Sequence, residues 1–359
     1  MKNVLSKIAL LSMSALVLAA CGNSGSATED SGTGTESAAT ETTGEYTDTI
    51  RIVWYPNESG NDMEASREAI GSYIEEATGK EVEHQLTTDY AIAIEAIANG
   101  QANLAFMGAQ GYVEAHDKNE NVLPLVVPSG ESGTLDDAIY YSWINVKKGN
   151  EEAYSDGNGG YSLDNIQGKR FSFVSNSSTS GFVVPTSGII AAFPDEELTQ
   201  EALMEGAEDK FFSEVLFGGS HQGSAVNLLT DRADVAAFCD TCVANYVEPV
   251  DGEKNAVGTT YAVKEDAADP FTGLAGQEFV SIGVTPVLNA PMVINNDVTS
   301  PEDQEALRAI FTSEEMNNDP SIWKDPESEE SALFEKEGES QFVTAEDAWF
   351  DPIRALSAK

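Results

Sequence analysis

Basic side chains are scarce in this chain of 359 residues, which carries 19 Lys and Arg against 61 Asp and Glu. The net charge of −42 makes the surface repel nucleic acid and anionic lipid headgroups, because both are bound mainly through Lys and Arg. We therefore expect no nucleic-acid partner. A strongly acidic surface also favours solubility outside the cell.

Residues and motifs typical of enzymes are also rare. The chain has three His and three Cys, and it contains no G-x-S-x-G, H-E-x-x-H or G-x-x-x-x-G-K-[ST] motif. Its carboxylates are spread along the chain as solvated charge, whereas a phosphatase would need a metal cage. We expect no enzyme, no cofactor and no metal, and hydrolysis is left as an alternative.

A long apolar run occurs at the N-terminus, where Lys2 and Lys7 precede the apolar stretch 8–20. This pattern predicts a signal peptide over residues 1–20, and the run is too short to span a bilayer. The following Leu-Ala-Ala-Cys-Gly resembles a bacterial lipobox, in which Cys21 would be lipidated; a plain signal peptide with a chance Cys is the alternative. Residues 21–46 are rich in Gly, Ser, Thr, Ala and Glu, which predicts a disordered tether.

From about residue 47, apolar strands alternate with amphipathic helices, which predicts an α/β fold with mostly parallel sheets flanked by helices. Roughly 310 residues exceed what a single core holds, so we expect two lobes with a ligand cleft between them. The first lobe takes residues 47–145, the second takes 146–284, and 285–359 return to the first. The predicted strands are 50–55, 82–86, 104–107, 122–127, 139–145, 171–174, 214–217, 234–238, 281–287 and 292–295, and the predicted helices are 62–78, 90–99, 301–312 and 345–356.

A run of hydroxyl residues, Ser178-Thr179-Ser180-Gly181, lies between the strand 171–174 and a following helix. The first N–H groups of a helix lack partners within it, and the helix dipole places positive charge at the same end. Hydroxyls and N–H groups converging there are suited to a phosphate-like oxyanion. The alternative is an ordinary Ser/Thr helix cap.

Cys239 and Cys242 form a C-x-x-C motif that follows the strand 234–238. Such a pair is redox-active, half of a metal site, or a tight disulfide. Zinc would require two further ligands, and the three His residues are scattered along the sequence. A local disulfide or two buried thiols is the favoured interpretation in an oxidising compartment.

Four further segments carry a family resemblance. Asp89-Tyr90 and the helix up to Gly100 are followed by Leu104-Ala105-Phe106-Met107-Gly108, with Asn103 where an Asp is usual. The others are Tyr140-Tyr141-Ser142, the stretch Asn176 to Pro185, and Gly219-Ser220-His221 with Ala233-Asp234-Val235-Ala236-Ala237. Together they resemble the phosphate, phosphite and phosphonate-binding proteins of ABC importers, the phosphonate-binding branch of the type II periplasmic binding proteins.

The resemblance implies that the lobes close on a small phosphorus oxyanion, which is then delivered to an ABC permease and its ATPase. It places the ligand contacts on Ser178, Thr179, Ser180, Tyr90, Tyr140 and His221, with His221 adding a charge when protonated. Core packing is the alternative for both tyrosines, and helix capping is the alternative for His221. Hinges are expected near 145–149 and 281–285.

Relatives commonly carry an acidic residue where this chain has Ala290, which argues against an aminoalkyl ligand. Asp240 or Thr241 is expected to supply a polar contact instead, and an aspartate there would require a proton on itself or on the ligand. The implied location is the outer face of the cell membrane, with the protein anchored as a monomer through Cys21. A different solute, a tethered sensor, or thiol-redox chemistry at Cys239 and Cys242 are the alternatives.

Overall fold

The computed structural model describes residues 46–357. The signal peptide, the lipidation of Cys21 and the tether as far as residue 45 lie outside the described residues, so they stay predictions. The strands are β1 Thr49–Trp54, β2 Glu81–Leu86, β3 Leu104–Phe106, β4 Val122–Pro128, β5 Ile139–Lys147, β6 Arg170–Phe173, β7 Glu214–Phe217, β8 Val235–Cys239, β9 Val247–Asp251, β10 Thr260–Val263, β11 Glu278–Leu288, β12 Met292–Asn295, β13 Trp323–Lys324, β14 Phe334–Glu335 and β15 Phe342–Val343. The helices are α1 Glu64–Thr78, α2 Tyr90–Ala98, α3 Ala109–Lys118, α4 Val184–Ala192, α5 His221–Leu229, α6 Pro301–Phe311, α7 Glu314–Asn317 and α8 Asp351–Ser357.

Two larger sheets organise the described chain. The first has six strands in the order β15-β4-β12-β3-β1-β2, and the second has seven in the order β7-β6-β8-β5-β11-β10-β9. The expected α/β class is confirmed, but each sheet is mixed rather than mostly parallel. β1 pairs in parallel with β2 and β3, whereas the returning strand β12 is antiparallel to both of its neighbours.

The strand β5 corrects the predicted lobe boundary. The sequence places 139–145 at the end of the first lobe, whereas β5 lies inside the second sheet and is antiparallel to β8 and β11. The chain therefore crosses between the sheets at 129–138 and again at 289–291, rather than near 145 and 285. The predicted hinge 281–285 lies within β11 and the predicted hinge 145–149 begins in β5, where Asn145 is opposite Ser281 and accepts its hydroxyl proton at 2.7 Å.

Most other predicted elements agree with the structure to within a few residues, with one clear exception at the C-terminus. The predicted helix 345–356 begins only at Asp351, after a 3₁₀ turn over Asp347–Phe350. Pro352 explains the late start, because proline is tolerated in the first turn of an α-helix and not in its interior. Helices α3 and α7 and strands β9, β10, β13, β14 and β15 were not predicted.

Apolar side chains pack in layers against both sheets. One cluster lies between the first sheet and helices α2 and α3, and includes Val53, Ile94 and Tyr112. A second, containing Phe171, Phe173 and Phe212, fills the corresponding space beside the second sheet. Within residues 46–357, no helix has the length and apolar character needed to cross a membrane. The packed sheets leave the strand ends free to shape a cleft.

Candidate ligand-binding site

A cavity of about 420 Å³ lies between the two sheets. Residues that follow the carboxyl ends of β1, β3, β6, β7 and β8 line it. Strands that run in the same direction end at the same edge of their sheet, and this is where α/β proteins bind ligands. Segments distant in sequence therefore meet in one cleft.

The predicted hydroxyl junction forms one wall of this cavity. A π-helical turn, Thr179–Val183, follows β6 and continues directly into α4, and Ser178 caps it by accepting the Gly181 N–H at 3.1 Å. Capping and cavity lining therefore occur together at Ser178. Thr179 and Ser180 are the first residues of this helix, and within residues 46–357 their N–H groups contact no acceptor.

The hydroxyl oxygens of this wall accept hydrogen bonds from the protein. Thr179 Oγ1 accepts the Gln110 N–H at 2.9 Å, and Ser180 Oγ accepts from the Tyr140 hydroxyl at 3.0 Å. A hydroxyl has one proton to donate, so an oxygen that already accepts keeps that proton for another partner. The protons of Ser178, Thr179 and Ser180 are thus available to a ligand.

The two predicted tyrosines are both buried and both line the cavity, so core packing and cavity lining coincide in them. The Tyr90 hydroxyl accepts from Asn57 Nδ2 at 2.7 Å. The orientation of the Asn57 amide is fixed, because its Oδ1 accepts the backbone N–H of His221 at 3.0 Å. The Tyr90 hydroxyl therefore has its own proton available for a further hydrogen bond, whereas the Tyr140 hydroxyl donates its proton to Ser180 Oγ.

His221 lies at the start of α5, but the cap of that helix is Ser220, so the capping alternative for His221 is wrong. The backbone N–H of Cys239 donates to His221 Nδ1 at 3.0 Å, so the ring proton must be on Nε2. Nε2 faces Ser178 Oγ at 3.4 Å. Burial lowers the pKa of His221 to about 3, so the ring is uncharged at neutral pH.

The turn after β8 forms the floor of the cavity. Cys239 and Cys242 are joined in a disulfide, and Asp240 between them is buried. Asp240 accepts from the Tyr141 N–H at 2.9 Å and from Asn255 Nδ2 at 3.0 Å, and burial raises its pKa to about 6. Thr241 is exposed and lines the cavity.

A metal site can be tested on the same residues. The potential ligand atoms of His221, Cys239 and Cys242 lie within 4.8 Å of one another. Thiolate is the form of cysteine that binds metals, and a disulfide offers none. His221 Nδ1 is also occupied by a backbone N–H. This group is therefore unsuited to a metal while the disulfide is intact.

Sequence reasoning missed several lining residues. Asn57 and Glu58 follow β1, and Trp323 and Lys324 form β13. The position directly after the buried strand β1 was the signal available for the first pair. Across the cleft mouth, Lys254 Nζ lies 3.2 Å from carboxylate oxygens of both Glu335 and Glu337.

The fold and the cleft define a class: an α/β protein of two sheets with a cavity between them that is large enough for a small solute. A family model described as "ABC transporter, phosphonate, periplasmic substrate-binding protein" matches residues 52–350. The chain belongs to this family, as the sequence resemblance indicated.

Individual relatives agree with this assignment. Phosphate-import protein PhnD of Mycolicibacterium smegmatis is 28% identical over 202 residues, which is 55% of this chain and 57% of that protein. The chain therefore matches little more than half the length of this relative.

Two solved structures share the fold. A binding protein component of an ABC phosphonate transporter from Pseudomonas aeruginosa superposes with a TM-score of 0.61 at 19% identity, covering 86% of this chain and 85% of that one. PhnD1 from Prochlorococcus marinus, in complex with methylphosphonate, gives 0.60 at 16% identity, with 87% and 97% covered.

Proposed function

We propose that the protein is the extracytoplasmic binding component of an ABC importer, and that it captures phosphate, phosphite or a phosphonate in the cleft between its lobes. The two lobes follow the two sheets, and the closed cleft delivers the anion to a permease and its ATPase. Membership of the family and the names of its relatives support this role. The protein acts as a monomeric carrier rather than an enzyme, anchored through a lipid on Cys21.

One observation carries the ligand class: the wall of the cavity is an array of hydrogen-bond donors. The hydroxyls of Ser178, Thr179 and Ser180 already accept, and beside them lie two backbone N–H groups that have no acceptor within residues 46–357. Tyr90 adds a further donor, and His221 Nε2 directs its proton toward Ser178 Oγ. Such an array suits a ligand made of acceptors, and hydrogen bonds to an ionised oxygen contribute about 1.5–3 kcal/mol each.

The test is calorimetric titration of the purified protein with phosphate, phosphite, methylphosphonate, 2-aminoethylphosphonate and sulfate. Ser178→Ala is compared with Ser300→Ala, since Ser300 caps α6 and does not line the cavity. Both changes remove a helix cap and cost about 1 kcal/mol of stability. We expect binding of at least one phosphorus oxyanion that Ser178→Ala weakens and Ser300→Ala does not.

Failure of the whole panel to bind would contradict the proposal. Equal effects of the two variants would reduce Ser178 to a helix cap. A protein of this fold that serves as a tethered sensor would bind the same ligands, so growth on the identified ligand after deletion of the neighbouring permease genes separates transport from sensing.

A further inference from the structure

Glu58 is an acidic side chain that lines the same cavity as the hydroxyls of Ser178, Thr179 and Ser180. Its Oε2 is shielded from solvent and, among residues 46–357, contacts no hydrogen-bond partner. Leaving a buried carboxylate oxygen unpaired is costly. An anion entering the same cavity would raise that cost further, so the carboxyl requires either a proton or a ligand atom as partner.

The backbone holds Glu58 in this position. Its N–H donates to Tyr55 O at 3.1 Å, and Arg67 Nη1 donates to Glu58 O at 2.5 Å and to Gly60 O at 2.9 Å. Arg67 thus donates to backbone carbonyl oxygens rather than to the Glu58 carboxylate. The preceding residue, Asn57, contacts both Tyr90 and His221, which places Glu58 beside the oxyanion wall.

The titratable surroundings of Glu58 favour its neutral form. Burial is the main cause and raises the pKa of Glu58 to about 8, while its own backbone N–H, the Asn57 side chain and then the charge of Arg67 lower it by smaller amounts. The other titratable groups that interact with it are the hydroxyls of Tyr55, Tyr90, Tyr140 and Tyr246, and Tyr246 is itself bonded to Asp62. The tyrosines are uncharged near neutral pH, so Arg67 is the only cation that acts on the carboxyl among the described residues.

We propose that Glu58 contacts the bound phosphorus oxyanion directly and that one proton is shared between its carboxyl and a ligand oxygen. The proposal rests on the proposed function and adds a residue that selects the protonation state of the complex. The neutral carboxyl donates its O–H to the ligand, in the same sense as the hydroxyls opposite. The only chemical change is the transfer of a proton. Above the pKa of Glu58, binding takes up one proton from the buffer onto its carboxyl.

The proton makes affinity depend on pH in a defined direction. Because only the protonated carboxyl donates, affinity falls as pH rises through about 8. Near pH 9.5 roughly 3% of the carboxyl remains protonated, so the dissociation constant rises about thirtyfold relative to pH 7. Methylphosphonate ionises in the same way whichever variant is titrated, so the ratio of wild-type to variant affinities isolates the carboxyl.

The experiment titrates methylphosphonate into wild type, Glu58→Gln and Glu58→Ala at both pH values, in two buffers of different ionisation enthalpy. Glutamine keeps the shape and an N–H donor but cannot titrate. We expect wild type to lose about thirtyfold in affinity relative to Glu58→Gln, and to take up close to one proton more than Glu58→Gln does at the higher pH. Glu58→Gln keeps only the pH dependence that comes from ionisation of the ligand itself, and Glu58→Ala binds about tenfold more weakly than Glu58→Gln near pH 7.

Glu131→Gln is the matched control, because Glu131 also lines the cavity but is exposed to solvent. It should follow the wild-type pH profile. Binding without proton uptake, or a Glu58→Gln profile that matches wild type, overturns this inference and leaves the proposed function intact. Absence of binding at either pH, repeated with phosphate and phosphite, overturns the proposed function and the inference with it.

Discussion

Replacing Thr179 by valine tests the donor wall at one atom. Thr179 is 2% exposed, and its Oγ1 accepts the N–H of Gln110 at the start of α3. The hydroxyl therefore links the helix after β6 to the helix after β3 while keeping its proton for the ligand. Valine has nearly the same shape and removes the hydroxyl, so the change deletes one donor and one acceptor without opening a cavity.

Two magnitudes follow from these contacts. The donor to an ionised oxygen contributes about 1.5–3 kcal/mol, so its loss should raise the dissociation constant about 10- to 150-fold. The Gln110 N–H loses its acceptor in a buried position, which should lower the free energy of unfolding by about 1–3 kcal/mol. Both effects have a common origin in one oxygen atom.

Calorimetric titration with the ligand identified for wild type measures the change in the dissociation constant. Denaturant unfolding without ligand measures the change in the free energy of unfolding. Thr179→Ser restores the hydroxyl and lacks only a methyl group, so its affinity should lie within about threefold of wild type. If Thr179→Val bound the ligand as tightly as Thr179→Ser, the hydroxyl would not contact the anion and the assignment of the wall would be wrong.

Three further outcomes are expected. The pKa of His221 is about 3 in the folded protein and about 6.5 in the unfolded chain, so the unfolded chain binds more protons below pH 6.5. The free energy of unfolding should therefore fall by about 1.5 kcal/mol from pH 6.5 to 5. In urea unfolding, His221→Gln should show a smaller change of this free energy with pH. Tyr140→Phe removes the bond to Ser180 and should weaken calorimetric ligand affinity about two- to tenfold, whereas an unchanged affinity would remove Tyr140 from the site. Replacing Cys239 and Cys242 by serine opens a four-residue loop, which should lower the free energy of unfolding by about 2 kcal/mol. It should also weaken ligand binding, because the Cys239 N–H that holds His221 becomes less fixed. Identical affinity of the wild-type protein with and without reductant would contradict this role of the disulfide.

Sequence reasoning grouped the hydroxyl residues of the cavity wall because they are contiguous. Ser178, Thr179 and Ser180 lie in a row at the end of one predicted strand, and their chemistry follows from their position before a helix. His221 was identified through family resemblance. Its tautomer could not be predicted, because the Cys239 N–H that binds Nδ1 comes from a strand 18 residues further along the chain.

Residues and strands placed by distant pairing were harder to predict. Asn57 and Glu58 lie in a short turn without a motif. They come to line the cavity only when the end of β1 meets the end of β7, where the His221 N–H donates to Asn57 Oδ1. The strand β5 was assigned to the first lobe because neighbours in sequence are usually neighbours in space. Its pairing with β11, more than a hundred residues away, is decided by the whole sheet.

The position of β12 has a consequence for the order in which the chain folds. β12 lies between β3 and β4, so the first sheet cannot close until residues 292–295 are available. The second sheet consists entirely of strands from the continuous stretch 139–288. In a chain synthesised from its N-terminus, the second sheet can therefore form before the first sheet is complete. Until then β1 to β4 leave apolar strand edges exposed, and such edges aggregate easily. We expect the N-terminal strands to gain protection from hydrogen exchange last during refolding.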